Sequence, residues 1–218
     1  MKNTGFMKNK YLILIALAFL MASCVKTKTY RVNDANRDWF ADTTNINFMM
    51  QDENGVTQSF RLDAAHSYMT ETGATILFVI PTDKGEHEHI GQSGSNSYGS
   101  VRFSASLSAY KRDDEHDGTD EFRLYFNEAT YDMRIDGNLF YPRGCYEDGN
   151  SSEMEYTAEY LDKYYVHDVE YQGVMHLKLI DLAYPRSTNF PTEIYYAKHY
   201  GFIQFTFDDK VTLYRLPN

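Results

Sequence analysis

The chain has little of what marks several large classes of protein. Two cysteines in 218 residues, Cys24 and Cys145, are too few for the disulfide framework of a small secreted scaffold, and no Cys/His cluster has zinc-site spacing. Basic residues are in the minority. Lys and Arg number 21 against 31 Asp and Glu, a formal net charge of -10, and that balance repels nucleic acid and anionic headgroups. A run of about 20 apolar residues, which a helix needs to cross a bilayer, is missing. No repeat of solenoid length appears, and no shift in composition marks a second domain. What remains, 43% hydrophobic and 24% charged residues, suits one folded domain rather than a disordered tail.

The N-terminus carries the most specific pattern. Lys2, Lys8 and Lys10 precede the apolar run Tyr11 to Leu20, and Met21, Ala22, Ser23 and Cys24 follow. Charge, apolar run and small residues before a cut are the parts of a signal peptide, and Lys26 and Lys28 end the run too early for an anchor. Two cleavage readings compete: an ordinary cut near Ser23, which leaves a lone thiol in an oxidising compartment, or lipidation of Cys24. Removing residues 1 to 23 takes away three lysines and no acid, so the mature 218 - 23 = 195 residues carry -10 - 3 = -13. Residues 24 to 36 are polar and read as a tether, at most about 40 Å long. Residues 37 to 218 read as the domain.

Within that domain, apolar residues alternate with polar ones, the period of a strand with one wet face. Val101, Phe103, Ala105, Leu107 and Ala109 form the clearest run, and Phe122, Leu124 and Phe126 repeat it. Turn residues agree with the period. Asp52-Glu53-Asn54-Gly55, Asp136-Gly137 and Gln172-Gly173 each separate two such runs, and 194 to 198, 202 to 207 and 211 to 216 predict a closing meander. The 19 tyrosines and 14 phenylalanines suit a pleated, half-buried surface. The expectation is an all-β, mostly antiparallel domain, a curved sheet or a partly closed barrel or sandwich, with at most one short helix. Ser152 to Lys163 reads equally as a capped helix or as a strand. Pro81 to Ser100 is rich in Gly and Ser and reads as a mobile loop.

Candidate chemistry is thin. Asp113, Glu115 and Asp117, followed by Gly118, alternate oxygen ligands as a calcium loop does, but Leu124 stands where an EF-hand needs its bidentate glutamate. A solvated hairpin tip is the plainer reading. His87 and His89 share a face if extended, as a zinc or nickel pair requires, with no third ligand evident. Gly91-Gln92-Ser93-Gly94-Ser95 lacks the glycine that a nucleophile elbow needs two residues after its serine. His66, His167, His176 and His199 are scattered, and Asp168 points away from His167 on an alternating strand. Cys145 reads as a buried small hydrophobe. Trp39 and Phe40 plug one end of a core or, if exposed, stack on a sugar ring. The pattern identifies no catalytic residue, metal site or cofactor.

Leu20-Met21-Ala22-Ser23-Cys24 resembles a bacterial lipoprotein lipobox, in which the cysteine is acylated and becomes the new N-terminus. Glu193 to Ile203, with Tyr195-Tyr196-Ala197-Lys198-His199-Tyr200-Gly201 at its centre, is similar to a YYAKGxGLI strand-turn-strand near the end of many Bacteroidetes-type lipoproteins, with His199 in place of the first glycine. Tyr171 to Val174 corresponds to an earlier Y-x-x-V strand of that family. The resemblance implies an antiparallel β lipoprotein of uncharacterised role, attached to the outer membrane by lipid on Cys24. Val25-Lys26-Thr27-Lys28 lacks the acidic cluster of surface-exported members, which favours a periplasm-facing position. The resulting expectation is a non-catalytic envelope protein that binds a ligand, either a glycan or a protein partner. A carrier of an apolar molecule within a lipocalin-like barrel, a polysaccharide-binding accessory protein and a hydrolase are the alternatives.

Overall fold

Alternating side chains commit this chain to strands, and short turns commit most of those strands to antiparallel neighbours. The computed structural model describes residues 27–41, 45–72, 85–109, 119–127, 129–147, 153–180, 190–208 and 210–217. Among the described residues fifteen strands form one sheet: β1 (Lys28–Tyr30), β2 (Ile46–Asp52), β3 (Thr57–Leu62), β4 (His66–Thr72), β5 (Gly85–Asn96), β6 (Arg102–Ala109), β7 (Asp120–Phe126), β8 (Ala129–Asp136), β9 (Leu139–Glu147), β10 (Glu153–Met154), β11 (Tyr156–Val166), β12 (Val169–Leu179), β13 (Pro191–Ala197), β14 (Gly201–Phe207) and β15 (Thr212–Arg215). A one-turn helix, α1 (Asp34–Arg37), lies between β1 and β2. All pairings are antiparallel except that of β1 with β5.

The path runs β10-β9-β8-β7-β6-β5-β3-β2-β15-β14-β13-β12-β11. Only Glu155 separates β10 from β11, so one stretch of chain pairs first with β9 and then with β12. The two ends of the sheet meet there, which nearly closes it into a barrel.

The barrel is flattened rather than hollow. Rings from opposite walls meet along its length. Phe60 on β3 packs edge-on to Phe205 on β14, Phe126 on β7 meets the same ring at 4.6 Å, Phe103 on β6 lies 4.7 Å from Phe202, and Phe122 meets Tyr196 on β13. Each of these side chains is buried. Burying one such ring contributes roughly 2–3 kcal/mol, and edge-on contacts add to that. Cys145 sits among them, fully buried as expected.

Several turns fall where the sequence puts them. Gly55 takes a φ of +82° and Asp52 Oδ1 accepts from the N–H groups of Asn54 and Val56, which ties the β2–β3 turn. Gly137 turns β8 into β9 in the same way. The stretch that reads equally as helix or strand is strand over its described residues from Glu153 onward, with Tyr156 and Val166 buried while the residues between them alternate on a mostly wet hairpin.

Three expectations are corrected. Residues 85 to 96 of the stretch read as a loop form the twelve-residue β5, whose Ser93 and Ser95 side chains lie on the face opposite the buried Glu88, Ile90, Gln92 and Asn96. The turn placed at Gln172-Gly173 lies instead at His167-Asp168, and β12 runs unbroken through Gly173. Gly173 keeps a φ of +64° inside the strand, and the hairpin tip beyond it folds onto the outer face. There Tyr164 stacks on Tyr195 of β13 at 4.1 Å and donates to Gln204 of β14. The polar stretch read as a tether joins the domain from Lys28 onward, through β1 and α1.

Candidate functional site

Residues 32 to 41 close one end of the barrel, and polar contacts hold them there. Asn33 caps α1 by accepting from the Ala35 N–H. Asn36 is fully buried, donating from Nδ2 to Asp120 Oδ2 at 2.8 Å and to the Ile135 carbonyl at 3.3 Å, while its Oδ1 accepts from the Gly137 N–H at 2.7 Å. Trp39 follows it into the barrel end and donates from its indole to the Gly137 carbonyl. The Trp39-Phe40 pair is therefore a plug, as one sequence reading had it, and not an exposed sugar platform.

Glu88 supplies the second anchor. Its position on β5 has the same parity as Ile90 and Gln92, so the carboxylate points into the barrel end. There it accepts from Arg37 Nη2 at 2.6 Å, from the Val32 N–H at 3.2 Å and from Ser67 Oγ at 3.0 Å. Burial alone raises a carboxyl pKa, but these donors together outweigh it and hold Glu88 below the usual carboxylate range. The same pair holds the Arg37 guanidinium above its ordinary value, chiefly through the Glu88 hydrogen bond.

Beside this anchor lies a groove of about 330 Å³, within the size range of small-ligand sites. Phe40, Ala41, Ala65 and Ile90 give it an apolar floor, and Arg37, Asp38, His66, Ser67 and His199 supply its polar edge. His66 and His199 reach the groove from segments far apart in the chain. His66 opens β4, and His199 sits in the β13–β14 turn at a φ of +64°, where its backbone N–H donates to the Asp38 carbonyl. From His66 a stack of rings continues outward through Tyr68, 51% exposed, to His89.

His87 and His89 face the same side, as their spacing predicts. Their nitrogens have other work: His89 contacts Thr70 and Ser108 through both ring nitrogens, while His87 contacts the Ala109 carbonyl and stacks on Tyr30. Burial, and then the neighbouring His87, lower the His89 pKa below its ordinary value. Among the described residues no group of three His, Cys, Asp or Glu side chains is arranged to hold a metal ion. Cys24 and the acidic candidates Asp113, Glu115 and Asp117 lie outside the described residues. Ser93 and Gly94 lie in mid-strand on β5, not in a strand-to-helix turn.

The sequence hid one acid-histidine arrangement. His176 on β12 lies between Glu159 of β11 at 2.6 Å and Glu193 of β13 at 2.7 Å, with its ring stacked on Tyr195 at 4.2 Å. Both nitrogens face carboxylates, so neither is left to accept a proton from a serine or cysteine nucleophile. The partners lie 17 residues away on each side, a separation set by hairpin length that no local motif reveals. Comparison of the chain with family models, with curated proteins and with solved structures gives no match.

Proposed function

We propose that this chain is a non-catalytic envelope protein, anchored by acyl groups on Cys24, that binds a small polar ligand such as a saccharide unit in the groove beside His66 and His199. The single observation that carries the binding half is the contrast between a barrel filled by rings from opposite walls and a groove that keeps two imidazoles over an apolar floor. A sugar ring has one apolar face and a rim of hydroxyls. Phe40 and Ala65 match the face, while His66, Ser67, His199 and Asp38 match the rim.

Support for the anchor is the lipobox ending in Cys24 and the similarity to Bacteroidetes-type lipoproteins, which together favour the outer membrane and a periplasm-facing position. A lipocalin-like carrier is the second reading, and the nearly closed barrel is compatible with it. It requires Phe60, Phe126 and Phe205 to move apart, whereas the groove needs no rearrangement.

Titration of ¹⁵N-labelled protein with a panel of mono- and oligosaccharides tests the site. Shifts centred on His66, Ser67 and His199, abolished in His66→Ala, are expected; a panel that moves none of these signals overturns the reading. Palmitate labelling that depends on Cys24 tests the anchor separately.

A further inference from the structure

The geometry points to a second ligand site on the outer face of β3, β5 and β6, a clasp between Arg61 and Arg102 whose ligand is an acidic saccharide, a sugar bearing a carboxylate. It shares no lining residue with the groove and does not depend on it. The register builds it. Ser95 pairs with Arg61 on one side and with Arg102 on the other, while Ser93 pairs with Ser104, which in turn pairs with Tyr125 of β7. Residues directly opposite each other on antiparallel strands put their side chains on one face. Phe60, Leu62 and Phe103, of the other parity, are buried in the barrel, so these rows point outward.

Side-chain size sets the shape. Ser93, Gly94, Ser95 and Ser104 make a low floor between longer neighbours, and a depression of about 350 Å³ opens over it, edged by Asp63, Arg102 and Tyr125. That volume suits a small ligand. The Ser95 and Ser104 hydroxyls line it and both donate and accept, as the hydroxyls of a sugar require.

Charge sets the ligand. Arg61 donates from Nε to Asp63 Oδ1 at 3.1 Å, and Ser93 Oγ donates to the other carboxylate oxygen at 3.3 Å. Arg102 joins no ion pair among the described residues, unlike Arg123 farther along this face, which is held by Asp132. Two guanidiniums thus stand against one carboxylate, a local positive excess in a chain of net charge -10. Their backbones lie two strand spacings apart across β5, about 10 Å, a span that two long side chains close around one carboxylate, each offering a fork of donors. Asp63 repels a dianion such as phosphate more than a monoanion, which favours a carboxylate on a hydroxylated body.

The test titrates the ¹⁵N-labelled full chain with trigalacturonate, with the neutral galactotriose and with inorganic phosphate, all at one ionic strength because salt screens such contacts. Trigalacturonate should shift the Ser95, Arg102 and Ser104 amides saturably, with galactotriose about tenfold weaker or more. Arg102→Gln should weaken binding of the acid by about tenfold or more. Arg61→Gln, at a side chain 60% exposed, carries the same expectation from the other half of the clasp, and melting curves confirm that both variants fold. Unmoved amides, equal binding of the neutral sugar, or folded variants that bind like the parent overturn the site. Phosphate that gives the same shifts at the same concentration overturns the saccharide as its ligand. The groove is read in the same spectra at His66 and His199, so either site can fail without the other.

Discussion

Arg37 Nη2 and Glu88 Oε2 lie 2.6 Å apart at the plugged end of the barrel, joining the one-turn helix to the inner face of β5. Arg37 keeps about a third of its side chain in water, whereas Glu88 is 6% exposed, so the two partners are not equivalent. Removing the arginine leaves a buried carboxylate with its remaining donors. Removing the carboxylate strands the Val32 N–H, Ser67 and the guanidinium together. Glu88→Ala is expected to cost about 2–3 kcal/mol and Arg37→Ala less, because the arginine is partly solvated. Urea unfolding of both variants checks the order; equal losses would refute the asymmetry.

The same anchor sets an acid limb. The folded-state pKa of Glu88 lies below its ordinary 4.5, so its contribution is fully present above that pH and is lost as pH falls further. His89, held below its ordinary 6.5 mainly by burial, acts in the same direction at higher pH, since the folded state resists its protonation. Stability should therefore decline in two steps, beginning below about pH 6.5 and steepening below about pH 4.5. Glu88→Gln should reduce the lower step, to which Glu170, held well down by Tyr165 and Lys163, also contributes, and should leave the upper one. Thermal melts across pH 3 to 8 would expose a single-step profile.

Asn36 offers a sharper case, because a short polar side chain is fully buried where the sequence shows only a polar stretch. It meets Asp120, Ile135 and Gly137 through three hydrogen bonds. Asn36→Leu preserves volume and loses all three, leaving the Gly137 N–H unsatisfied and the Asp120 carboxylate without one of its donors. A loss of roughly 2–4 kcal/mol is expected. Asn36→Asp should be worse still, since two carboxylates then face each other. Chemical denaturation of the pair tests this ranking.

These anchors also show where sequence reading stopped. Strand runs such as Phe103 to Ala109 were legible because the alternation of a pleated strand is a local property, and the turns at Gly55 and Gly137 were legible because only glycine takes their backbone cheaply. Strand β5 is not legible because polar residues stand on both its faces, His87, His89, Ser93 and Ser95 on one and Glu88, Gln92 and Asn96 on the other, so partnership rather than polarity decides which are buried. The groove was hidden for another reason. His66 and His199 both reach it through sheet order, which strand-pairing partners far apart in sequence decide. The turn misplaced at Gln172-Gly173 shows the converse error, a glycine that bends a strand instead of ending it.

Gly94 gives a prediction about packing rather than charge. It lies where β3, β5 and β6 press together, pairing with Leu62 and Phe103. A Cβ there would stand 2.6 Å from the Arg61 carbonyl oxygen and would also collide with the Phe103 ring. The carbonyl belongs to the ladder and cannot retreat without breaking it. Gly94→Ala should cost about 3 kcal/mol even though alanine is the better residue for an unfolded chain. Gly99→Ala meets no atom within 4 Å but keeps a φ of +68°, so its smaller loss, about 1 kcal/mol, isolates backbone strain from collision.

His199 separates strain from binding. It holds a φ of +64° in the β13–β14 turn and lines the groove. A non-glycine residue in this conformation costs about 1–2 kcal/mol, partly offset by the greater freedom glycine has when unfolded. His199→Gly should therefore be neutral to about 1 kcal/mol stabilising, and His199→Val destabilising, because a β-branched side chain fits the left-handed region worst. If the groove binds through this imidazole, the glycine variant should melt no earlier than the parent yet lose its response to saccharide. A variant that melts early, or that binds unchanged, would show that the ring serves the turn and not the ligand.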